Sequence, residues 1–447
     1  MFEVPEWAAN KVVYQIFPSR FAATEPVDKE LWYKAPITPM DDLHGNLRGI
    51  IEHMDDIQNL GIDVLYMTPI FQSNSCHKYD TTDYYQIDPS FGTTEDLKEL
   101  VQKAHERGMK VVLDAVYNHT GREFFAFADI LENGEKSKYR DWYFIDGFPL
   151  KSEWGEIPNF KCFGYYGGMP KLNLKNPEVE KYITDVACYW IKECDIDGWR
   201  LDVGDEISHF FWKNFRKAVK AVKKDMLIIG EIWHYAGDFL EGDEWDTVMN
   251  YPFYLNLIDL LADEKITVSQ FVQNLGYLKG RLNKNCYPLM WNLIDSHDTA
   301  RFLHLCNDNK KKQHLAAAFQ LLLPGMPMIY YGDEYAMPGA NDPDCRRGMY
   351  WDEEYQDKEM YEWYKRLIQV RKSHACIVEG ELAGSVTEDE EGTIVLIRKN
   401  GEETIAMIFN CSSSAKKFNE YTQKYNLLTE NTFDGNVEGF DAAVIVL

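Results

Sequence analysis

Eight short apolar segments, each bounded by polar or turn-forming residues, recur along most of the chain. They are VVYQIFP from Val12, IDVLYMTP from Ile62, KVVLDAVYNH from Lys110, DGWRLDV from Asp197, LIIGEIW from Leu227, TVMNYPF from Thr247, LMWNLIDSHD from Leu289 and MPMIYYGDE from Met326. All are rich in β-branched or aromatic residues. Their apolar character is nearly continuous rather than alternating, which suits strands covered on both faces of a parallel sheet. Helix-length segments separate most of them. TTEDLKELVQKAHERG, from Thr93 to Gly108, has acids early, bases late and a glycine stop. NPEVEKYITDVACYWIKE from Asn176 and SHFFWKNFRKAVKAVKK from Ser208 show similar apolar spacing.

Eight strand–helix units over roughly 370 residues predict an α/β fold of the (β/α)8 TIM-barrel type. An open doubly wound sheet is the alternative, but no GxGxxG follows the first strand. Two regions break the rhythm. The stretch 120–170, rich in aromatics and glycines, reads as a small insertion domain after strand three. From about Cys376 the pattern becomes alternating short runs joined by turn residues, which predicts a C-terminal antiparallel β-domain. The expected division is therefore a barrel of 1–119 and 171–375, an insertion of 120–170 and a terminal domain of 376–447.

Composition narrows the partners. The 447 residues carry 47 basic and 72 acidic side chains, a formal net charge of -25. Such a field repels phosphate backbones and anionic lipid, so neither nucleic acid nor a membrane is an expected partner. The N-terminus has no basic start, apolar core and small-residue cleavage site of a secretory signal. No apolar run approaches the ~18 residues of a membrane helix. Nine cysteines without a CxxC pair read as reduced thiols in a cytoplasmic protein.

Barrel active sites sit at the C-terminal ends of the strands. There the chain places Asn118 and His119, Arg200 and Asp202, Glu231, then His297 and Asp298. Arg200 and Asp202 stand two apart, hence on one face of a strand. Burying such a pair is weak evidence for stability, so a chemical purpose is the better reading. Retaining glycoside hydrolysis needs a carboxylate nucleophile and a protonated carboxylic acid roughly 5 Å apart. Asp202, beside a cation, is expected to be ionised and to act as nucleophile. Glu231, between LIIG and Ile232–Trp233, suits a proton donor. Asp298 is placed to stabilise an oxocarbenium-like transition state, with His119 and His297 bonding sugar hydroxyls. Tyr79, Phe163, Tyr165, Tyr166 and Trp233 fall in loops over the rim, where flat rings suit a pyranose face. Zinc is the competing reading of these histidines and acids. With no HxH at the first strand and no HExxH anywhere, no catalytic metal is expected.

The segments DAVYNH (Asp114 to His119), GWRLDV (Gly198 to Val203), GEIWH (Gly230 to His234) and SHD (Ser296 to Asp298) resemble, in order and spacing, the α-amylase superfamily, glycoside hydrolase family 13. MPKLN from Met169, EWDTVMNYPF, HKYDTTDY from His77, and YYGDE followed by NDPDCRRGM are similar to the cyclomaltodextrinase, neopullulanase and maltogenic amylase branch. The resemblance implies Asp202 as nucleophile, Glu231 as acid/base and Asp298 as transition-state stabiliser. It implies Tyr79 as a stacking platform, with His119, Arg200 and His297 around the same sugar. Asp342 and Arg346 would hold the next glucose on the non-reducing side, while Trp233 and Phe163 would line the acceptor side.

The implied activity is hydrolysis of α-1,4 bonds in maltooligosaccharides, cyclodextrins or pullulan. The alternatives are an α-glucanotransferase and a non-catalytic glucan-binding homologue. Three departures stand out. The chain starts almost directly at the first barrel strand, without the N-terminal β-domain of that branch, so a more open cleft and a monomer or differently built dimer are expected. FAATEPVDKE, where relatives often have a calcium loop, offers few hard oxygen ligands. No cofactor is expected, and a structural calcium stays open at Asn118, which matches a calcium-binding position of many α-amylases. Finally, VGDE stands where close relatives commonly read VANE. Gly204 and Asp205 either bias linkage preference and transfer or, for Gly204, merely relax the turn.

Overall fold

Near-continuous apolar strands need cover on both faces, and the fold supplies it by closing the sheet on itself. The computed structural model describes residues 4–151, 155 and 157–447. Eight parallel strands form one sheet: β1 (Val13–Ile16), β2 (Val64–Met67), β3 (Lys110–Ala115), β4 (Gly198–Leu201), β5 (Leu227–Gly230), β6 (Thr247–Val248), β7 (Trp291–Asn292) and β8 (Met326–Tyr330). Neighbours in the sheet are neighbours in sequence, and β8 pairs with β1 through Val13 and Met328. A bridge between Met249 and Trp291 joins β6 to β7, with Asn250 N–H donating to the Trp291 carbonyl at 2.8 Å. The ring is closed. The TIM-barrel expectation holds, and the open doubly wound sheet is excluded.

Side-chain alternation divides the buried residues into two layers. Val13, Val64, Tyr66, Val112, Ile229 and Met328 pack together inside the barrel. Their chain neighbours Tyr14, Leu65, Met67, Val111, Leu113 and Ile228 pack outward with the helices. The three helices expected from periodicity run Thr94–Glu106, Pro177–Cys194 and His209–Val222. Thr93, Asn176 and Ser208 cap them by accepting from backbone N–H groups, and Thr93 completes a capping box with Asp96.

TVMNYPF behaves differently from its apolar pattern. Only Thr247–Val248 is strand, and Tyr251–Leu257 is helix. Asn250 caps that helix by accepting from Phe253 N–H, and Pro252 sits in its first turn, where its missing donor costs nothing. The β7 ladder likewise ends at Asn292, five residues before His297.

Two excursions build walls above the C-terminal strand ends. After β2, a hairpin of Phe71–Ser73 and Thr81–Ile87 carries His77 and Tyr79 in its loop. After β3, the chain forms helix Phe125–Asn133 and then irregular structure tied by bridges Ile145–Phe160 and Cys162–Pro170. Past a helical turn at Cys376–Glu379, four long strands pair antiparallel: β9 (Glu381–Glu388), β10 (Thr393–Asn400), β11 (Glu403–Asn410) and β12 (Asp441–Val446). This sheet has its own core around Val395, Ile408 and Ile445, and Phe409 stacks on Phe319 of barrel helix Lys310–Leu322. No helix of the described residues is long and apolar enough to cross a membrane.

Close approach at the end of β5 requires a glycine. A Cβ on Gly230 would stand 2.2 Å from the ring of Trp245, itself fully buried. Gly230→Ala is expected to destabilise the fold by about 1–3 kcal/mol through overpacking, read as a lowered denaturation midpoint at unchanged m-value.

Candidate active site

A single guanidinium organises the strand ends. Arg200, on β4, is in register with Asp114 of β3, so both point into the barrel. Arg200 is completely buried. Its Nη1 donates to both oxygens of Asp114 at 3.1 Å and to Asp202 Oδ1 at 2.9 Å. Its Nη2 lies 2.8 Å from Glu231 Oε2 and 3.9 Å from Asp298 Oδ2, and its Nε reaches Met249 Sδ at 3.4 Å. Strands three, four, five and seven thus each deliver a carboxylate to one cation.

Asp202 and Glu231 follow β4 and β5 directly, each N–H still bonded to the neighbouring strand, at Ala115 O and Leu201 O. Their side chains are 8% and 9% exposed. Asp298 is more open, at 28%. Glu231 Oε1 accepts from Trp233 Nε1 at 3.1 Å, and Oε2 accepts from Val203 N–H at 3.0 Å. That second bond depends on Val203 adopting φ 48, a left-handed conformation costly for a β-branched residue. Asp202 Oδ2 is buried and has no hydrogen-bond partner in the protein.

The electrostatics differ from the expectation built on Arg200 and Asp202 alone. Burial pushes the Asp202 carboxyl well above the ordinary aspartate range; Arg200 opposes the rise, while Glu231, Asp114 and Asp298 add to it. Burial likewise raises Asp114 to about 6, against Arg200, Tyr66 and Tyr79. One cation shared with several carboxylates offsets only part of the burial cost, so the Asp114 and Asp202 carboxyls both stay raised.

Above this floor lies a cleft of about 350 Å³. Of the predicted site residues, Tyr79, His119, Phe163, Asp202, Glu231, Trp233, Asp298, Asp342 and Arg346 line it, while Arg200 and His297 lie buried beneath. Tyr79 stacks on His297, centroids 5.5 Å apart and planes within 4°. Its hydroxyl meets His297 Nε2 at 2.5 Å and donates to Asp114 Oδ2 at 3.0 Å. Gln15 Nε2 lies 2.7 Å from His297 Nδ1, which leaves the ring proton on Nε2. Burial, reinforced by Arg346 and Arg200, holds His297 neutral, and burial lowers His119 to about 4. Both imidazoles are therefore neutral hydrogen-bonding groups at physiological pH. Phe163 stacks on His119 at 5.1 Å, and Trp233 stacks on Tyr251 at 3.9 Å. Arg346 pairs with Asp342 at 2.8 Å, approaches Asp298 at 3.6 Å and donates Nε–H to the His297 carbonyl.

Sequence comparison agrees with this geometry. Residues 15–380 match the alpha-amylase family, described as "Alpha amylase, catalytic domain". The chain belongs to the alpha-amylase family. It is similar to a cyclomaltodextrinase of Geobacillus thermopakistaniensis (strain MAS1), 46% identical over 419 residues that cover 93% of this chain and 71% of that protein. Its fold is similar to the solved structure of a cyclomaltodextrinase, with TM-score 0.94 and 39% identity, covering 100% of this chain and 79% of that one. It also matches cyclic alpha-maltosyl-(1→6)-maltose hydrolase from Arthrobacter globiformis in complex with cyclic alpha-maltosyl-(1→6)-maltose. There the TM-score is 0.91 and the identity 35%, over 99% of this chain and 100% of that one.

Several residues of this alpha-amylase family site escape strand-end reasoning. Asp114 is the fourth carboxylate, and Tyr66 donates to it at 2.7 Å from inside the barrel. Asp114 opens the DAVYNH motif but precedes the strand end. His77 and Met169 also line the cleft and lie within the quoted HKYDTTDY and MPKLN. Gly204 is buried against Trp245, where an added Cβ would come within 2.8 Å of the ring. Its role is close packing rather than turn relaxation. Asp205 pairs with His234 at 3.3 Å beside Trp233. Tyr165 is 93% exposed and lines no part of the cleft.

The residues around Asn118 do not fit calcium. Lys171 donates its ammonium protons to Asn118 Oδ1, to Glu206 Oε2 at 2.7 Å and to the Glu206 carbonyl at 3.2 Å. A divalent ion on those oxygens would meet that positive charge head-on. In the loop after β1, Asp28 is already engaged in capping Lys29–Trp32. Dialysis against a chelator is therefore expected to leave the melting temperature unchanged. Lys171→Met is expected to cost about 1–2 kcal/mol, allowing for the exposure of Glu206, read by thermal denaturation.

The raised Asp114 carboxyl also sets a pH dependence. Unfolded, it ionises near pH 4; folded, it holds its proton up to about 6, so the folded state binds more protons across that window. Its contribution to stability is fully present below the window and is lost as pH rises through it. In Asp114→Asn the fall between pH 4 and 6.5 is expected to be shallower by about 2–3 kcal/mol, measured by denaturation midpoints across pH.

Proposed function

We propose that the protein is a retaining α-glucan hydrolase that cleaves α-1,4-glucosidic bonds in cyclodextrins, maltooligosaccharides or pullulan. The observation that carries this reading is the pairing of Asp202 and Glu231 on adjacent nitrogens of one guanidinium. That fork favours the close carboxyl spacing of retention, roughly 5 Å, over the wider spacing that inversion needs to admit water. Asp202 Oδ1 is held by Arg200, and Oδ2 is left for attack on the anomeric carbon.

As the glycosidic bond breaks, Glu231 protonates the leaving oxygen, and a glycosyl ester forms on Asp202. Glu231 then takes a proton from water as its oxygen attacks the anomeric carbon, releasing Asp202 and retaining the configuration. Asp298 faces the developing positive charge from the more open side. Tyr79 offers its ring to the sugar, and neutral His119 and His297 orient hydroxyls without adding charge. Asp342 and Arg346 hold the adjoining glucose on the non-reducing side. Nine unpaired cysteines suit a reducing compartment.

Asp202→Asn is expected to lose activity by on the order of 10³-fold or more at unchanged melting temperature. The measurement is reducing-sugar release from cyclodextrin, pullulan and maltotriose, with products resolved by chromatography. An Asn variant keeping a tenth of wild-type turnover, or products of inverted configuration, would overturn the mechanism. Oligomers longer than maltotriose as main products would show transfer instead of hydrolysis.

A further inference from the structure

Trp233 lines two clefts, not one. On one side is the catalytic cleft; on the other is a second of about 420 Å³, between the loop after β5 and helix Val268–Arg281. Its walls include Tyr235, Leu255, Asn274, Tyr277 and Arg281. Tyr277 is 65% exposed, and Leu255 and Trp233 are also open to solvent. Large apolar side chains grouped in a concavity mark binding surfaces more often than scattered ones.

The rings are held in place rather than loose. The Arg281 guanidinium lies 3.9 Å from the centre of Tyr235 and 5.1 Å from that of Tyr277. Its Nη1 donates to the Tyr277 hydroxyl at 2.9 Å, and the Tyr235 hydroxyl donates to the Arg281 carbonyl. Asn274, Tyr277 and Arg281 fall at i, i+3 and i+7, one face of the helix. Asn274 is oriented by donating Nδ2–H to Asn256 Oδ1 at 2.8 Å. Asp259 also lines the cleft and pairs with Lys265 at 3.6 Å, while Arg281 lies over its two rings. Flat rings beside a fixed amide, a guanidinium donor and a carboxylate acceptor match a neutral polyhydroxylated ligand, whose hydroxyls both donate and accept.

We propose that this second cleft is an extended glucan-binding groove, taking the part of a long α-glucan chain that lies beyond the leaving-group glucose. It rests on Glu231 being the proton donor of the reading above. Trp233 donates to Glu231 Oε1, so the sugar leaving with the protonated oxygen departs past Trp233. The only occupant continuous with that path is the same chain. Short substrates end before the groove; long ones enter it.

The experiment compares kcat/KM for maltoheptaose and maltotriose in the wild type, Tyr277→Ala, Tyr277→Phe and Arg281→Ala, with melting temperatures alongside. The ratio of the two values is expected to fall about tenfold in Tyr277→Ala and Arg281→Ala, chiefly through KM, and to be kept in Tyr277→Phe. An unchanged ratio in both alanine variants overturns the groove while leaving the hydrolase intact. So does an equal loss on both substrates. A wild type inactive on both sugars overturns the groove, and inactivity on cyclodextrin and pullulan as well defeats the hydrolase reading with it.

Discussion

One buried guanidinium sets the terms for the rest of the site. Removing Arg200 and its acids from water carries a desolvation cost that Coulomb attraction recovers only with good geometry and further hydrogen bonds. The barrel provides both. Asp114 is shared with Tyr66 and Tyr79, and Glu231 with Val203 N–H and Trp233. Of the three buried acids Asp202 receives least, since only Oδ1 is bonded. The unmet part of the electrostatics is thus concentrated on the atom that the proposed chemistry uses. Such a network is poor as a stabilising device and good as a positioning one. Four strands must keep register for a single cation to reach four carboxylates.

The division of labour follows from rigidity. Strand ends, fixed by backbone bonds to their neighbours, hold Asp202 and Glu231 to within small displacements. Loops supply the walls: the hairpin after β2 brings Tyr79 and His77, and the excursion after β3 brings Phe163 and Met169. Where that second wall meets the floor, Lys171 ties Asn118 to Glu206 with an ammonium group, so a covalently attached cation joins both ends of the excursion after β3 to the turn after β4. The cleft walls thus come from loops and the carboxylates from the barrel strands.

Much of this was legible without coordinates. Near-continuous apolar strands placed the sheet in the interior, and the polar residues ending them marked the rim. What misled was local pattern read without its neighbours. TVMNYPF looks like a strand, yet Asn250 and Pro252 begin a helix there. Asp202 beside Arg200 looks firmly ionised, yet three further carboxylates claim the same charge. Asp114 hides because it lies inside its strand rather than at its end. Gly204 reads as a loop residue, yet its position is dictated by Trp245, 41 residues later in the same numbering.

The sequence by itself determined the alternation of strands and helices, the terminal antiparallel sheet and which acids meet at the strand ends. These depend on periodicity and on residues adjacent in the chain. Tertiary structure alone decided how many carboxylates share Arg200, that burial raises Asp114 and Asp202, and that Trp233 opens onto a second groove. Each of those is a sum over groups distant in sequence, and burial sets its size.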